Sequence, residues 1–162
     1  MNLLIHDLGE HAFPEPDGDF TVINTAVPAA PCRGCSQCWT KNPGYCVYGD
    51  AFQHGGAAMG SSERVVIVSR ICYGGYSPAV KRFLDRGISD CLPFLIFRKG
   101  MTYHAERYGT RRKLTVYFYG GCSGFERETA REYVARHAAN MAADTYRVFF
   151  AERLEDLGEI RG

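Results

Sequence analysis

The chain has 162 residues, 46% of them apolar and 23% charged, with a net charge of +1 at neutral pH. That size buries one ordinary core without disulfide staples, and the near-neutral balance excludes a nucleic-acid binder and a disordered tail as the main theme. The longest apolar runs, such as VVIV, fall far short of a membrane span, and MNLLIHDLGEHAF lacks the basic start and long apolar stretch of a signal peptide. A single cytoplasmic domain over residues 1–162 is expected, with no nucleic-acid or membrane partner.

In chain order, MNLLIHDL and DFTVIN read as short strands, and GEHAFPEPDG between them is a breaker-rich loop with no room for a helix. Next comes PCRGCSQCWTKNPGYC, which sets Cys32, Cys35 and Cys38 three residues apart and adds Cys46. GDAFQHGGAAMGSS is ambiguous, because Gly55 and Gly56 weaken a helix in mid-course. RVVIVS, residues 64 to 69, has the unbroken apolar run of a central parallel strand covered on both faces. In YSPAVKRFLDRGI, Ser77 suits an N-cap and Pro78 the first helical position, with Ala79, Val80, Phe83 and Leu84 forming the apolar stripe. KLTVYFYGG is a further strand, with Leu114, Val116 and Phe118 on one face and Thr115, Tyr117 and Tyr119 on the other. A helix then runs from about Glu126 to Ala143, burying Ala130, Tyr133, Val134, His137, Ala138 and Met141. His137 therefore reads as a core-edge residue rather than a catalyst. TYRVFFA is the last strand, and ERLEDLGEIRG has length for one or two helical turns.

Strands alternating with helices imply a three-layer α/β sandwich with a mainly parallel sheet, whose ligands sit beyond the carboxyl ends of the strands. The cysteine loop, SRICYGGYS and YGGCSG all follow strands, so the order of elements can bring three loops to one edge. Seven cysteines, four of them in one loop of a well-stocked apolar sequence, fit a metal or redox site better than a secreted disulfide scaffold. His6, His11, His54, His104 and His137 are scattered, and no nucleophile elbow or metalloprotease motif is present.

Three stretches carry a resemblance: PCRGCSQCWTKNPGYCVYGD, VVIVSRICYGGYSPAVKRFLDR and the strand ending in YGGCSG. Over about residues 19 to 150 the chain resembles the flavodoxin-like NADPH-dependent FMN reductase family, and most closely its iron-sulfur flavoprotein branch. The resemblance implies a flavodoxin-like fold with a five-stranded sheet, FMN as cofactor and NAD(P)H as donor. It also implies flavin-ring contacts from Ser69, Arg70, Ile71, Cys72, Tyr73, Gly74, Gly75 and Tyr76, and from Tyr119, Gly120, Gly121 and Cys122. Glycines let backbone amides approach the ring, and Tyr73 and Tyr76 can stack on it. The cysteines follow the branch's C-x2-C-x2-C spacing with a fourth farther on, which suits a [4Fe-4S] cube on Cys32, Cys35, Cys38 and Cys46. Zinc or no metal stays open as an alternative. Arg33 and Lys41 would offset thiolate charge, and Trp39 would shield a cluster or anchor the loop.

The pattern departs from the family at its start. The Ser/Thr-rich phosphate loop and first helix are replaced by LGEHAFPEPDG, which holds three acidic residues and no serine or threonine, so FMN should bind about a hundredfold more weakly. In the flavin loop Arg70 stands for a common proline and Cys72 for a common aromatic. With the first and last helices missing or stunted, one sheet face is expected to be bare and to pair with a second copy through the row of Thr115, Tyr117 and Tyr119. The resulting expectation is an FMN-dependent oxidoreductase or electron-transfer protein, with an electron-transfer protein as possible partner. The alternative is a relative without FMN that acts as a binding subunit, a cluster carrier or a zinc-stabilised module.

Overall fold

The structure is a computed structural model that describes residues 1–9 and 18–158. The loop expected over GEHAFPEPDG falls mostly on residues 10–17, outside the described residues. Five parallel strands, β1 (Asn2–His6), β2 (Phe20–Asn24), β3 (Arg64–Arg70), β6 (Arg112–Tyr119) and β7 (Ala143–Ala151), form a sheet of order β2-β1-β3-β6-β7. That is the doubly wound order of the flavodoxin-like fold, with the strand order reversing beside β1 and β3. The α/β architecture expected from the sequence is therefore present.

One face of the sheet carries the main core. Leu3 and Ile5 of β1, Val65 and Ile67 of β3, and Leu114, Val116 and Phe118 of β6 meet Val80 and Phe83 of α3 (Pro78–Arg86) and Ala130, Val134 and Ala138 of α4 (Gly124–Asn140). Ser77 caps α3 as its sequence position predicts, its hydroxyl accepting the Val80 amide at 3.3 Å, with Pro78 in the first turn. The longer helix α4 begins two residues earlier than expected, because Ser123 and Glu126 form a reciprocal capping box.

GDAFQHGGAAMGSS resolves into a short helix, α2 (Gly55–Ser61). Its glycines serve close packing: a methyl group at Gly56 would come within 2.0 Å of the Ser89 hydroxyl, and one at Gly55 within 2.8 Å of the Phe83 ring. The four-residue α1 (Gln37–Thr40) lies in the cysteine loop.

The other sheet face differs from expectation. Thr115 and Tyr117 are only 5% and 4% exposed within the single chain, and Leu4, Val66 and Val68 beside them are buried too. Leu8 and the turn Leu154–Leu157 pack on that cluster, and Phe149 stacks on Tyr117 at 4.9 Å. The centre of the Thr115–Tyr117 row is thus shielded within the chain, while Val22 and Phe149 at the sides of the same face stay 51% and 43% exposed.

Residues 88–111, to which the sequence reading assigned no element, form a hairpin. β4 (Cys91–Arg98) and β5 (Met101–Glu106) pair antiparallel as a separate two-stranded sheet and turn through Lys99 and Gly100, both at positive φ. Two positive-φ central residues match the twist of the flanking strands. Phe94, Leu95 and Phe97 on this hairpin are 67%, 66% and 77% exposed, the largest concentration of bare apolar side chains among the described residues. No helix among the described residues is long and apolar enough to cross a membrane.

Candidate functional site

The two glycine loops expected to flank a flavin ring are neighbours at the carboxyl edge of the sheet. β3 and β6 pair in parallel up to Arg70 and Tyr119, and the Ile71 amide then donates to the Tyr119 carbonyl at 2.9 Å. Beyond it, Cys72 and Gly75 exchange two backbone hydrogen bonds across a tight turn, with Tyr73 and Gly74 at its tip. Gly74 has φ +76, and an added methyl would meet Thr129 at 2.8 Å and the Glu126 carbonyl at 3.0 Å. The turn is thereby seated on α4, and only glycine fits both the dihedral and the space. Ser69 locks the loop's base: its hydroxyl accepts the Ser77 amide at 2.9 Å and donates to the Arg70 carbonyl at 3.0 Å.

The residues expected to contact a ring divide here. Tyr73 is 97% exposed at positive φ, so its side chain is free to lie against a planar ligand. Gly120 takes φ +104, and among the described residues Gly121 has nothing within 4 Å of where a methyl would stand, leaving bare backbone at the mouth of the two loops. Arg70 is exposed, while Ile71 is buried and Cys72 and Cys122 are partly so. Tyr76 does not face the loops. It stacks on Phe118 at 5.5 Å, and its hydroxyl meets His137 Nδ1 at 2.9 Å, which makes it part of the core.

One residue at this edge was missed. The Asp7 carboxylate, just beyond β1, accepts the Arg70 amide at 3.1 Å and the Tyr119 hydroxyl at 3.0 Å, tying together the ends of β1, β3 and β6. Burial, and then the Asp7 charge, push the Tyr119 phenol well above its ordinary range, so it stays a donor. No sequence motif marks Asp7; a lone acid after a buried strand was its only signal.

The cysteine loop does not join these two. It lies against the far halves of α3 and α4, where Cys32, Cys35, Cys38 and Cys46 line a cavity of about 670 Å³ with Trp39, Tyr48, Leu84, Tyr133 and His137; no residue of 69–76 or 119–122 lines it. Arg86, at the end of α3, holds the loop there. Its guanidinium is 1% exposed and donates to both Asp50 carboxylate oxygens at 2.7 and 2.8 Å, to the Ala30 carbonyl at 2.7 Å and to Cys46 Sγ at 3.0 Å. Asp50 also accepts the Ala30 and Phe52 amides, and the Arg86 bonds lower its pKa to about 2. The nine residues of α3 span about 13 Å, which sets the distance between the glycine loops and the end that Arg86 anchors.

Trp39 anchors the loop rather than merely shielding it, its indole N–H donating to the Cys91 carbonyl at 3.1 Å. Arg33 and Arg86 lie over the Tyr48 ring at 5.1 and 5.0 Å. Lys41, expected to balance thiolate charge, is exposed at the end of α1 and does not line the cavity. All seven cysteines are free thiols. Burial, and next the neighbouring Cys46, push the Cys38 thiol up. Among the described residues no three His, Cys, Asp or Glu side chains gather closely enough to hold one metal ion. The four thiols line one cavity, and a cube or a tetrahedral zinc on them gains no support from this arrangement.

His137 lines the cavity from the edge of the core, where the sequence placed it. It is partly buried against Tyr76, and burial lowers its pKa to about 4, helped by Lys81. The unfolded imidazole titrates near 6.5, so its contribution is complete above that value and is lost as pH falls from about 6.5 toward 4. Asp90, which burial raises to about 6 despite Arg112, works in the opposite direction over part of this range. The effect is therefore expected in a difference: wild type should lose stability relative to His137→Gln between pH 6.5 and 4, as read by denaturant titrations at several pH values.

No protein-family model matches the sequence, and no curated protein does. Among solved structures, the chain is similar to an FMN-dependent NADH-azoreductase from Bacillus anthracis str. Ames Ancestor in complex with FMN, at 12% identity and TM-score 0.55, over 93% of this chain and 86% of that one. It is also similar to azoreductase AzrA at 11% identity and TM-score 0.57, over 95% of this chain and 87% of that one. At such identities the likeness is one of fold: the chain has the flavodoxin-like α/β fold with a five-stranded parallel sheet.

Proposed function

We propose that this chain is a flavodoxin-like redox protein that binds FMN at the carboxyl edge of its sheet and takes electrons from NAD(P)H. The observation that carries this reading is the junction of the Ile71–Tyr76 and Tyr119–Cys122 loops through the Ile71–Tyr119 bond, with Gly121 unobstructed and Tyr73 uncovered beside it. In doubly wound sheets ligands bind at this edge, next to the strand-order reversal. The two similar structures are azoreductases, one of them described as FMN-dependent and in complex with FMN. Bound FMN would accept a hydride from the nicotinamide and release electrons to an acceptor. The chain's own residues do the holding: Gly120 and Gly121 offer backbone to the ring edge, Tyr73 covers one face, and Ser69 and Asp7 keep the strand ends in register.

The ring end of the site fits the cofactor better than the phosphate end. Asp7 puts a carboxylate where the first strand ends, and the following sequence adds acids rather than hydroxyls. Asp7→Asn keeps an acceptor for Arg70 and Tyr119 but removes the charge. It is expected to tighten FMN by about fivefold to tenfold while leaving riboflavin unchanged, as measured by quenching of flavin fluorescence.

Self-association belongs to the same proposal, but through the hairpin rather than the buried Thr115–Tyr117 row. Phe94, Leu95 and Phe97 are bare, and an isolated two-stranded sheet gains stability from a partner. Sedimentation at micromolar concentration should show a dimer that Phe97→Asp dissociates; a monomeric wild type counts against it.

The function itself is tested by reconstitution. Protein mixed with FMN and gel-filtered should retain a flavin spectrum that NADH or NADPH bleaches without oxygen. Protein that retains no flavin would defeat the proposal.

A further inference from the structure

We propose that Cys32 and Cys35 form a thiol–disulfide exchange site that reduces aromatic, anionic disulfides held in the cavity behind them. This is independent of the flavin reading, because no residue of the two glycine loops lines that cavity.

Three observations support the assignment. Both thiols are exposed, free and separated by two residues, the spacing of a dithiol that can close on itself. The Gly34 amide points at Cys32 Sγ from 3.5 Å, so the attacking sulfur already has a backbone donor aimed at it. Residues 31–35 belong to no helix, strand or turn, and Gly34 already sits at φ +64, so Cys32 can swing onto Cys35 with only local movement. By contrast Cys46 is engaged by the buried Arg86, and Cys38 sits in α1, partly buried. The cavity supplies the specificity. Its volume suits a small organic molecule, Trp39, Tyr48 and Tyr133 give it an aromatic wall, and Arg33 and Arg136 put cations on its lining.

The chemistry balances as two displacements. The Cys32 thiolate attacks one sulfur of the substrate, whose S–S bond breaks. One substrate half leaves as its thiolate, and Cys32 is left in a mixed disulfide. The Cys35 thiolate then attacks the Cys32 sulfur and releases the second half as a thiolate. The substrate disulfide gains two electrons, the two cysteine protons pass to water, and the loop ends as a Cys32–Cys35 disulfide. A dithiol reductant restores the loop by the same exchange in reverse.

The test uses the full-length reduced protein and dithiobis(nitrobenzoate), an aromatic dianion whose released thiolate is coloured. Wild type should show a fast release of both thiolate halves and yield a Cys32–Cys35 disulfide on peptide mapping. Cys35→Ser should stop at the first half, with thionitrobenzoate trapped on Cys32, and Cys32→Ser should slow the fast phase by about tenfold or more. Arg33→Gln should slow reaction with the dianion but not with neutral hydroxyethyl disulfide. Circular dichroism and thermal melting of each variant confirm that it is folded, and Cys32→Ala serves as a second truncation. An unchanged fast phase in both Cys32 variants, a mapped disulfide that excludes Cys35, or iron or zinc bound to these cysteines with the thiols unreactive would overturn the proposal.

Discussion

Replacing Arg86 with methionine should cost about 3–5 kcal/mol, because it leaves the Asp50 carboxylate without its partner and frees the loop that both residues hold. Arg86 uses four of its five N–H donors on Asp50, Ala30 and Cys46, three sites drawn from a twenty-one-residue span of loop. The methionine keeps much of the volume but none of the bonds, so the damage should concentrate between Ala30 and Asp50. Denaturant unfolding reads the total loss, and amide hydrogen exchange should show protection falling first in that segment. A loss under about 1 kcal/mol would mean that the guanidinium is not the clamp its bonds suggest. Since domains of this size hold only about 5–15 kcal/mol, the variant would sit near the edge of folding.

Phe83→Ala should be comparably severe, at about 3–5 kcal/mol, for a different reason. Its ring is fully buried, meets Phe52 edge-on at 5.2 Å and lies against the backbone of Gly55. Phe52 and Gly55 come from the segment that follows the cysteine loop, so the lost ring opens a cavity between α3 and α2. Phe83→Leu should recover part of the loss, because it refills part of that volume. Equal melting temperatures for Phe83→Ala and wild type would contradict the packing described.

The parts of the fold that were legible in the sequence are those that local chemistry decides. VVIV has no polar alternation because β3 is covered on both faces, and Ser77-Pro78 starts α3 because each residue satisfies a local need of a helix end. The alternation of Leu114, Val116 and Phe118 against Thr115, Tyr117 and Tyr119 correctly separated the two faces of β6. Periodicity could not say that the centre of the second face is covered from within, since Leu154 and Leu157 reach it through a tertiary contact. The Arg86–Asp50 pair was invisible for the same reason: the residues are far apart in sequence and each looks like an ordinary surface charge.

The candidate site was half legible. Glycines after β3 and β6 marked the two loops, and their junction follows from the parallel pairing. The cysteine loop was expected at the same edge because it also follows a strand. Its long path lets Arg86 draw it to the opposite ends of the helices, and spacing alone carries no information on that choice. The Lys99-Gly100 turn between two apolar runs was a readable hairpin signal, whereas Pro93 within the first run argued against a strand.

The central claim is that a flavin rests on the two joined loops at the carboxyl edge, and amide NMR during an FMN titration tests it most directly. Saturable shifts are expected at Tyr73, Gly74, Gly120 and Gly121, with the amides around Leu84 and Asn140 at the cysteine cavity unmoved. Shifts confined to the cavity, or none at all at saturating FMN, would contradict it.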